Sequence, residues 1–158
     1  MLRYYNFCDR TELKETVQEH IIQWMKENPG GKIVVGTDSS EFKRSTLYAT
    51  VIALFFEGQK GAHLIYTKRR DKKRTPLISR LWEEVNLTFI VLEEIKNEIG
   101  IIGTSHIDIN CDEEWDSNVL YAAAMGFFKG NGYNVVSKPD AWVSSCAADI
   151  LVRPKKKE

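Results

Sequence analysis

Apolar residues recur at helical spacing over residues 10–27, where Leu13, Val17, Ile21, Trp24 and Met25 share one face and the NPGG at 28–31 closes the run. The pattern then changes period. KIVVGTD at 32–38 is a short β-branched run suited to a buried central strand, and TLYATVIALFF at 46–56 is a second. EGQKG at 57–61 is a turn signal, so AHLIYTK at 62–68 returns as a third strand of an antiparallel meander. A long helix fits 76–99, with Pro76 near its first turn and Gly100 just past its end. IIGTSHIDIN at 101–110 reads as a fourth strand, weakened at its start by Gly103. A helix over 115–129, a fifth strand over 132–138 and a last helix over 140–152, after Pro139, complete the order. Three sequential strands followed by alternating helices and strands predict an α/β fold: a mixed five-stranded sheet flanked by helices. With no repeat and no linker-like stretch, all 158 residues are expected to form one domain, with residues 1–30 an N-terminal helical extension and 153–158 a basic tail.

Several acids fall where this pattern gives them a direction. Asp38 ends the first strand, with rigid backbone behind it and the loop residues Ser39 and Ser40 ahead. That position suits either a catalytic carboxylate or an Asx-type turn. In the long helix, Leu77, Leu81, Val85, Thr88, Leu92, Ile95 and Ile99 define the apolar face. Glu84 falls inside that face, between Leu81 and Thr88, while Glu83 points away. An inward glutamate is costly unless paired, hydrogen-bonded or metal-bound, and Arg80, one turn earlier, offers the ordinary ion-pair explanation. In the fourth strand, alternation puts His106, Asp108 and Asn110 on one face. That face could line a site or, for His106 taken singly, face solvent. Asp112 and Asp116 compete with Asp108 for its role. Asp149 lies about two turns into the last helix, after the small-residue run SSCAA that would let the helix approach a sheet closely.

Charge adds a second kind of information. The chain is formally neutral, yet KRRDKKR at 68–74 is net +5 and RPKKKE at 153–158 net +3, leaving the remainder at −8. An acidic body with concentrated basic patches suits a polyanionic ligand, although the terminal run reads more simply as a solvated tail. The three scattered cysteines, Cys8, Cys111 and Cys146, argue against a disulfide framework or a thiolate zinc cage, and are expected to be reduced and mostly buried. No apolar run approaches the roughly 20 residues of a membrane span, and the N-terminal residues lack a signal-peptide layout. A cytoplasmic location without membrane association is the expectation.

The combination of GTDSS (36–40), YATVIAL (48–54), RLWEEV (80–85), HIDIN (106–110) and GYNVVSKPDAWVSSCAAD (132–149) resembles the YkuK family of bacterial ribonuclease H-like proteins, over about residues 30–150. The resemblance implies a ribonuclease H fold, in which acids come from the first strand, the first main helix, the fourth strand and the last helix. Asp38, Glu84, Asp108 and Asp149 stand in those elements, in that order. It also implies a departure. Cellular ribonucleases H carry a histidine-bearing loop before the last helix, and here only Lys138, Pro139 and Asp140 bridge that gap.

Carboxylates gathered in this way repel one another by about 1–4 kcal/mol per pair at 4 Å, a penalty that divalent cations remove. Oxygen-only ligands favour Mg²⁺ or Mn²⁺, and two ions would support in-line attack of water on a phosphodiester in RNA, DNA or a hybrid. The expected roles are Asp38 as bridging ligand, Glu84 and Asp108 on one ion, and Asp149 on the other, with Ser39, His106 and Asn110 as auxiliary candidates. Lys68, Arg69, Arg70, Lys72, Lys73 and Arg74 would hold the nucleic-acid backbone without reading its sequence. The rival from another class is a non-catalytic module of the same fold that binds nucleic acid or protein. An actin-like phosphotransferase, suggested by the GTDSS turn, fails for want of a second domain and a Gly-rich phosphate loop.

Overall fold

The computed structural model describes residues 2–154 except 57, 60, 113 and 115. Its elements are β1 (Tyr5–Asn6), α1 (Val17–Glu27), β2 (Lys32–Glu41), β3 (Thr46–Phe55), β4 (His63–Asp71), α2 (Leu77–Ile99), β5 (Thr104–Asn110), α3 (Tyr121–Gly130), β6 (Val135–Lys138) and α4 (Asp149–Val152). A 3-10 turn at Asp116–Leu120 leads into α3, and a π-helical stretch at Val143–Ala148 leads into α4.

The sheet order is β1-β4-β3-β2-β5-β6. β2, β3 and β4 form the expected antiparallel meander, while β5 joins β2, and β6 joins β5, in parallel. The expected five-stranded sheet therefore has six strands. The extra one, β1, is two residues long and pairs antiparallel with β4. Its presence also explains why the first helix starts at Val17 and not at residue 10. Asp9 accepts hydrogen bonds from Thr11 N and Oγ1, Arg10 adopts φ 63°, and Leu13 N donates to Tyr4 O, so residues 4–13 double back on themselves. Thr16 then starts the helix through a capping box: its hydroxyl accepts from Glu19 N while Glu19 accepts from Thr16 N.

Elsewhere the expected elements are present with shifted ends: β2 runs past Asp38 to Glu41, so Ser39 and Ser40 are strand residues paired with β3 and not a loop, and β4 runs past Lys68 to Asp71. β5 begins at Thr104 and β6 at Val135, and the α-helical part of 115–129 begins at Tyr121, Trp115 lying outside the described residues. α2 runs almost as expected and ends at Gly100, whose φ of 79° lets its N–H reach Lys96 O.

Alternation along the strands divides the core into two layers. Ile33, Val35, Ile52, Leu54 and Ile65 pack against Leu81, Val85, Leu92 and Ile95 of α2 and Phe128 of α3. On the opposite face Val34, Leu47, Ala49, Val51, Ala53 and Tyr66 pack against Val143, Ala147, Ala148, Leu151 and Val152. That final helical stretch sits very close to the sheet. A Cβ on Gly36 would stand 2.8 Å from Ser144 N, so only glycine allows the approach. No helix among the described residues is long and apolar enough to cross a membrane. Cys8, Cys111 and Cys146 are free, as expected, but all three are exposed, not buried, because each falls in a turn or on an outer helical face.

Candidate metal centre

β2 and β5 run parallel in the middle of the sheet, with Gly36 opposite His106, so two residues further on they bring Asp38 and Asp108 to the same end of the sheet. α2 packs there with Glu84 on its buried side. The result is a trio: Asp38, Glu84 and Asp108 each offer a carboxylate oxygen, and these oxygens lie within 4.8 Å of one another. Asp38 is 7% exposed and Glu84 5%, so both charges are withdrawn from water.

The orientation of each acid has a local cause. Ser39 points from β2 toward α2 and donates its hydroxyl to Glu84 Oε1 at 2.5 Å, while its N–H donates to Asp38 Oδ1 at 2.8 Å. One residue thus fixes two members of the trio. One helical turn along, Thr88 Oγ1 meets Thr37 Oγ1 at 2.8 Å, and Thr37 meets Thr50 at 2.9 Å, a buried hydroxyl chain that ties α2 to β2 and β3. Arg80 is not the hydrogen-bonding partner of Glu84. Its guanidinium reaches Glu41 at 3.4 Å and its Nε is buried without a partner, although its charge still favours ionised Glu84.

Electrostatically Asp38 and Glu84 are pushed toward protonation. Burial, then the charges of Glu84 and Asp108, hold the Asp38 carboxyl well above the usual carboxylate range. Glu84 is likewise raised, chiefly by burial and further by Asp108, against the opposing pull of the Ser39 hydrogen bond, Arg80 and Lys138. One cation is already there: Lys138, the last residue of β6, places Nζ 2.8 Å from Asp108 Oδ1. Burial disfavours its charge, but the bond to Asp108 and the fields of all three acids raise its pKa above the usual lysine value.

Asp149, the fourth expected acid, does not join this group. Arg153, one turn later, donates to its Oδ2 at 2.5 Å. His106 faces the last helical stretch and not solvent: it is buried, its Nδ1 accepts from Val143 N at 3.2 Å, and burial lowers its pKa to about 4. It is therefore a neutral packing group. Asn110 shapes the turn after β5, with Oδ1 accepting from Asp112 N and its carbonyl from Asn118. Asp112 is exposed and accepts from Glu114 N, outside the trio, and the side chain of Asp116 lies outside the described residues.

The basic run is not a loop over most of its length, because β4 continues to Asp71. Arg69 is taken up by Asp71 and Glu83, and Arg74 by Glu41. Arg70 lies over the Phe42 ring and donates to Ser45, Lys68 lies over Tyr66, and Lys72 and Lys73 are exposed. Lys68 stands opposite Ala49, which stands opposite Asp38, so the run begins abreast of the acids and two strand spacings, roughly 10 Å, away. Of the second run, Arg153 is paired with Asp149 and residues 155–158 lie outside the described residues.

Lys138 is the site residue that reading the sequence missed. Its signal was positional: a lysine ending the strand next to the strand that carries Asp108. In comparison with known proteins, the family model described as Ribonuclease H-like matches residues 16–153. No curated protein and no solved structure matches the chain.

Proposed function

Because the chain belongs to the ribonuclease H-like family, we propose that it hydrolyses phosphodiester bonds of RNA, DNA or an RNA/DNA hybrid with a divalent metal held by Asp38, Glu84 and Asp108. The observation that carries this reading is the convergence of three acids from β2, α2 and β5 on one buried point. Two of these are raised toward the neutral form by desolvation and mutual repulsion, a condition that a cation relieves. Such an arrangement has a cost for stability and is more economically explained by a ligand than by packing.

The donor set fits Mg²⁺ or Mn²⁺. It consists of carboxylate oxygens alone, His106 being turned away to Val143 and the cysteines lying elsewhere on the surface. When bound, such an ion would polarise the phosphoryl group and lower the pKa of a water. Asp38, central to the charge coupling, would bind beside both partners. Ser39 would hold Glu84 and Asp38 in their rotamers, limiting the rearrangement needed on binding. Lys68, Arg70, Lys72 and Lys73 would contact the phosphate backbone, whereas Arg69, already engaged by Asp71 and Glu83, would position that strand end. Asp149 would serve a second ion only by leaving Arg153, so one ion on the trio is the primary site.

The test is cleavage of end-labelled hybrid, duplex DNA and single strands with Mg²⁺ or Mn²⁺, wild type beside Asp38→Asn. Metal-dependent cutting that the substitution abolishes supports the proposal. Equal background from both proteins, with no change in melting temperature on adding metal, would favour a non-catalytic binding module.

A further inference from the structure

Three strands bring their residues together at the candidate centre: β2 carries Asp38 three residues before its end, β5 carries Asp108 two residues before its end, and β6 ends in Lys138. Asn110 pairs with Lys138, so the lysine is set by main-chain register against the strand that carries Asp108. Its ammonium lies 2.8 Å from Asp108 Oδ1, within direct ion-pair distance. The Lys138 side chain is 38% exposed while that of Asp108 is 15% exposed, so the cation approaches from the solvent side of a mostly enclosed group.

We propose that Lys138 is the resident counter-ion of the trio, and that a divalent cation binds by displacing its ammonium from Asp108. This inference rests on the metal-binding reading above and adds to it what sets metal affinity. In the exchange, the contact between Nζ and Oδ1 is broken and a contact between metal and Oδ1 is formed. The lysine keeps its proton and its charge, and no covalent bond changes. The lysine has somewhere to go, because its partly exposed side chain lets the head swing into water or onto a phosphate oxygen without disturbing β6. Two consequences follow from the charges. Without metal, Lys138 offsets the negative charge of Asp108 inside the cluster and so stabilises the fold. With metal, it both competes for Asp108 and repels the incoming cation, so it weakens binding. Its removal therefore moves metal-free stability and metal affinity in opposite directions, which loss of a merely structural contact does not do.

The experiment is Mn²⁺ titration of the full chain, followed by the loss of the free-ion electron paramagnetic resonance signal, for wild type, Lys138→Met and Lys138→Arg. Thermal melts of each protein are recorded with and without Mn²⁺. The expected result is that Lys138→Met binds Mn²⁺ at least tenfold more tightly than wild type, melts lower without metal, and gains more on adding it. Lys138→Arg, which keeps the charge, stays within about threefold of wild type. Equal or weaker binding by Lys138→Met, while wild type binds Mn²⁺, overturns the role of Lys138 and leaves the metal site standing. Absence of Mn²⁺ binding by both wild type and Lys138→Met overturns the metal reading and this inference with it. If Lys138→Met does not fold, Lys138→Gln is titrated in its place against the same criteria.

Discussion

Gly36→Ala is the substitution whose effect can be worked most directly from the structure. The added Cβ would stand 2.8 Å from Ser144 N, 3.1 Å from Ser144 Cβ and 3.2 Å from Ser144 Cα. Ordinary carbon contacts lie near 3.5–4.0 Å, so the start of the last helical stretch must retreat by roughly 0.5–1 Å. Overpacking of this kind costs about 1–3 kcal/mol. The neighbouring residue adds to it: Val143 N donates to His106 Nδ1 at 3.2 Å, and a retreat stretches that bond beyond use. His106 is buried, so an unpartnered ring nitrogen there costs about 1 kcal/mol more. The expected total is about 2–4 kcal/mol, or a melting temperature roughly 5–15 °C lower for a chain of this size. Equilibrium urea unfolding followed by circular dichroism reads it as a lower midpoint at unchanged slope. Adding Ser144→Gly should not restore stability, because the nearest obstacle is main-chain nitrogen and not the serine side chain. A loss below about 0.5 kcal/mol, or full rescue by Ser144→Gly, would refute the close-approach argument.

Two further outcomes are expected. Asp38 and Glu84 have folded-state pKa values raised above those of the unfolded chain, so their contribution to metal-free stability is full below about pH 4 and is lost as pH rises through the raised values. Urea midpoints of metal-free protein should therefore show a decline with pH that Asp38→Asn flattens; an identical pH profile in the variant would contradict the assignment. Asp149→Asn should leave Mn²⁺ affinity within about twofold and stability within about 0.5 kcal/mol, since its partner Arg153 is largely exposed; a tenfold loss of affinity by calorimetry would restore Asp149 to the metal site.

Most of the architecture was legible because it rests on periodicities the chain states plainly. The meander follows from β-branched runs separated by turns, and the inward direction of Glu84 from its azimuth on a long helix, which the structure reproduces. Asp38 and Asp108 do lie toward the ends of neighbouring strands, but Asp38 does not end its own: pairing with β3 carries β2 on through Ser39 and Ser40 to Glu41. What escaped reading was set by tertiary partners. β1 is too short to show a pattern and exists because β4 offers it an edge. His106 looked solvent-facing because a polar strand face resembles a wet one, and only the seating of the last helix at Gly36 covers it. Asp149 was placed about two turns into the last helix, directly after the small-residue stretch; that stretch is π-helical, and Arg153 takes the carboxylate. The third strand was read as ending at Lys68 because β-propensity is weak in the charged residues that follow, yet pairing with β3 extends it to Asp71.

The change of strand direction at β2 has a consequence for how the molecule is assembled. On one side of β2, β3 and β4 follow it directly in the chain as antiparallel neighbours, so residues 32–71 can pair through contacts close in the chain. On the other side β5 comes only after the 23 residues of α2, and β6 only after α3. Loop closure makes such distant parallel pairings the slower ones. Asp38 therefore belongs to the half that can form first, while Asp108 and Lys138 arrive with the half that forms last. The three acids come together only when the long-range pairing of β2 with β5 is in place, so a chain in which the meander alone has formed presents no gathered negative charge.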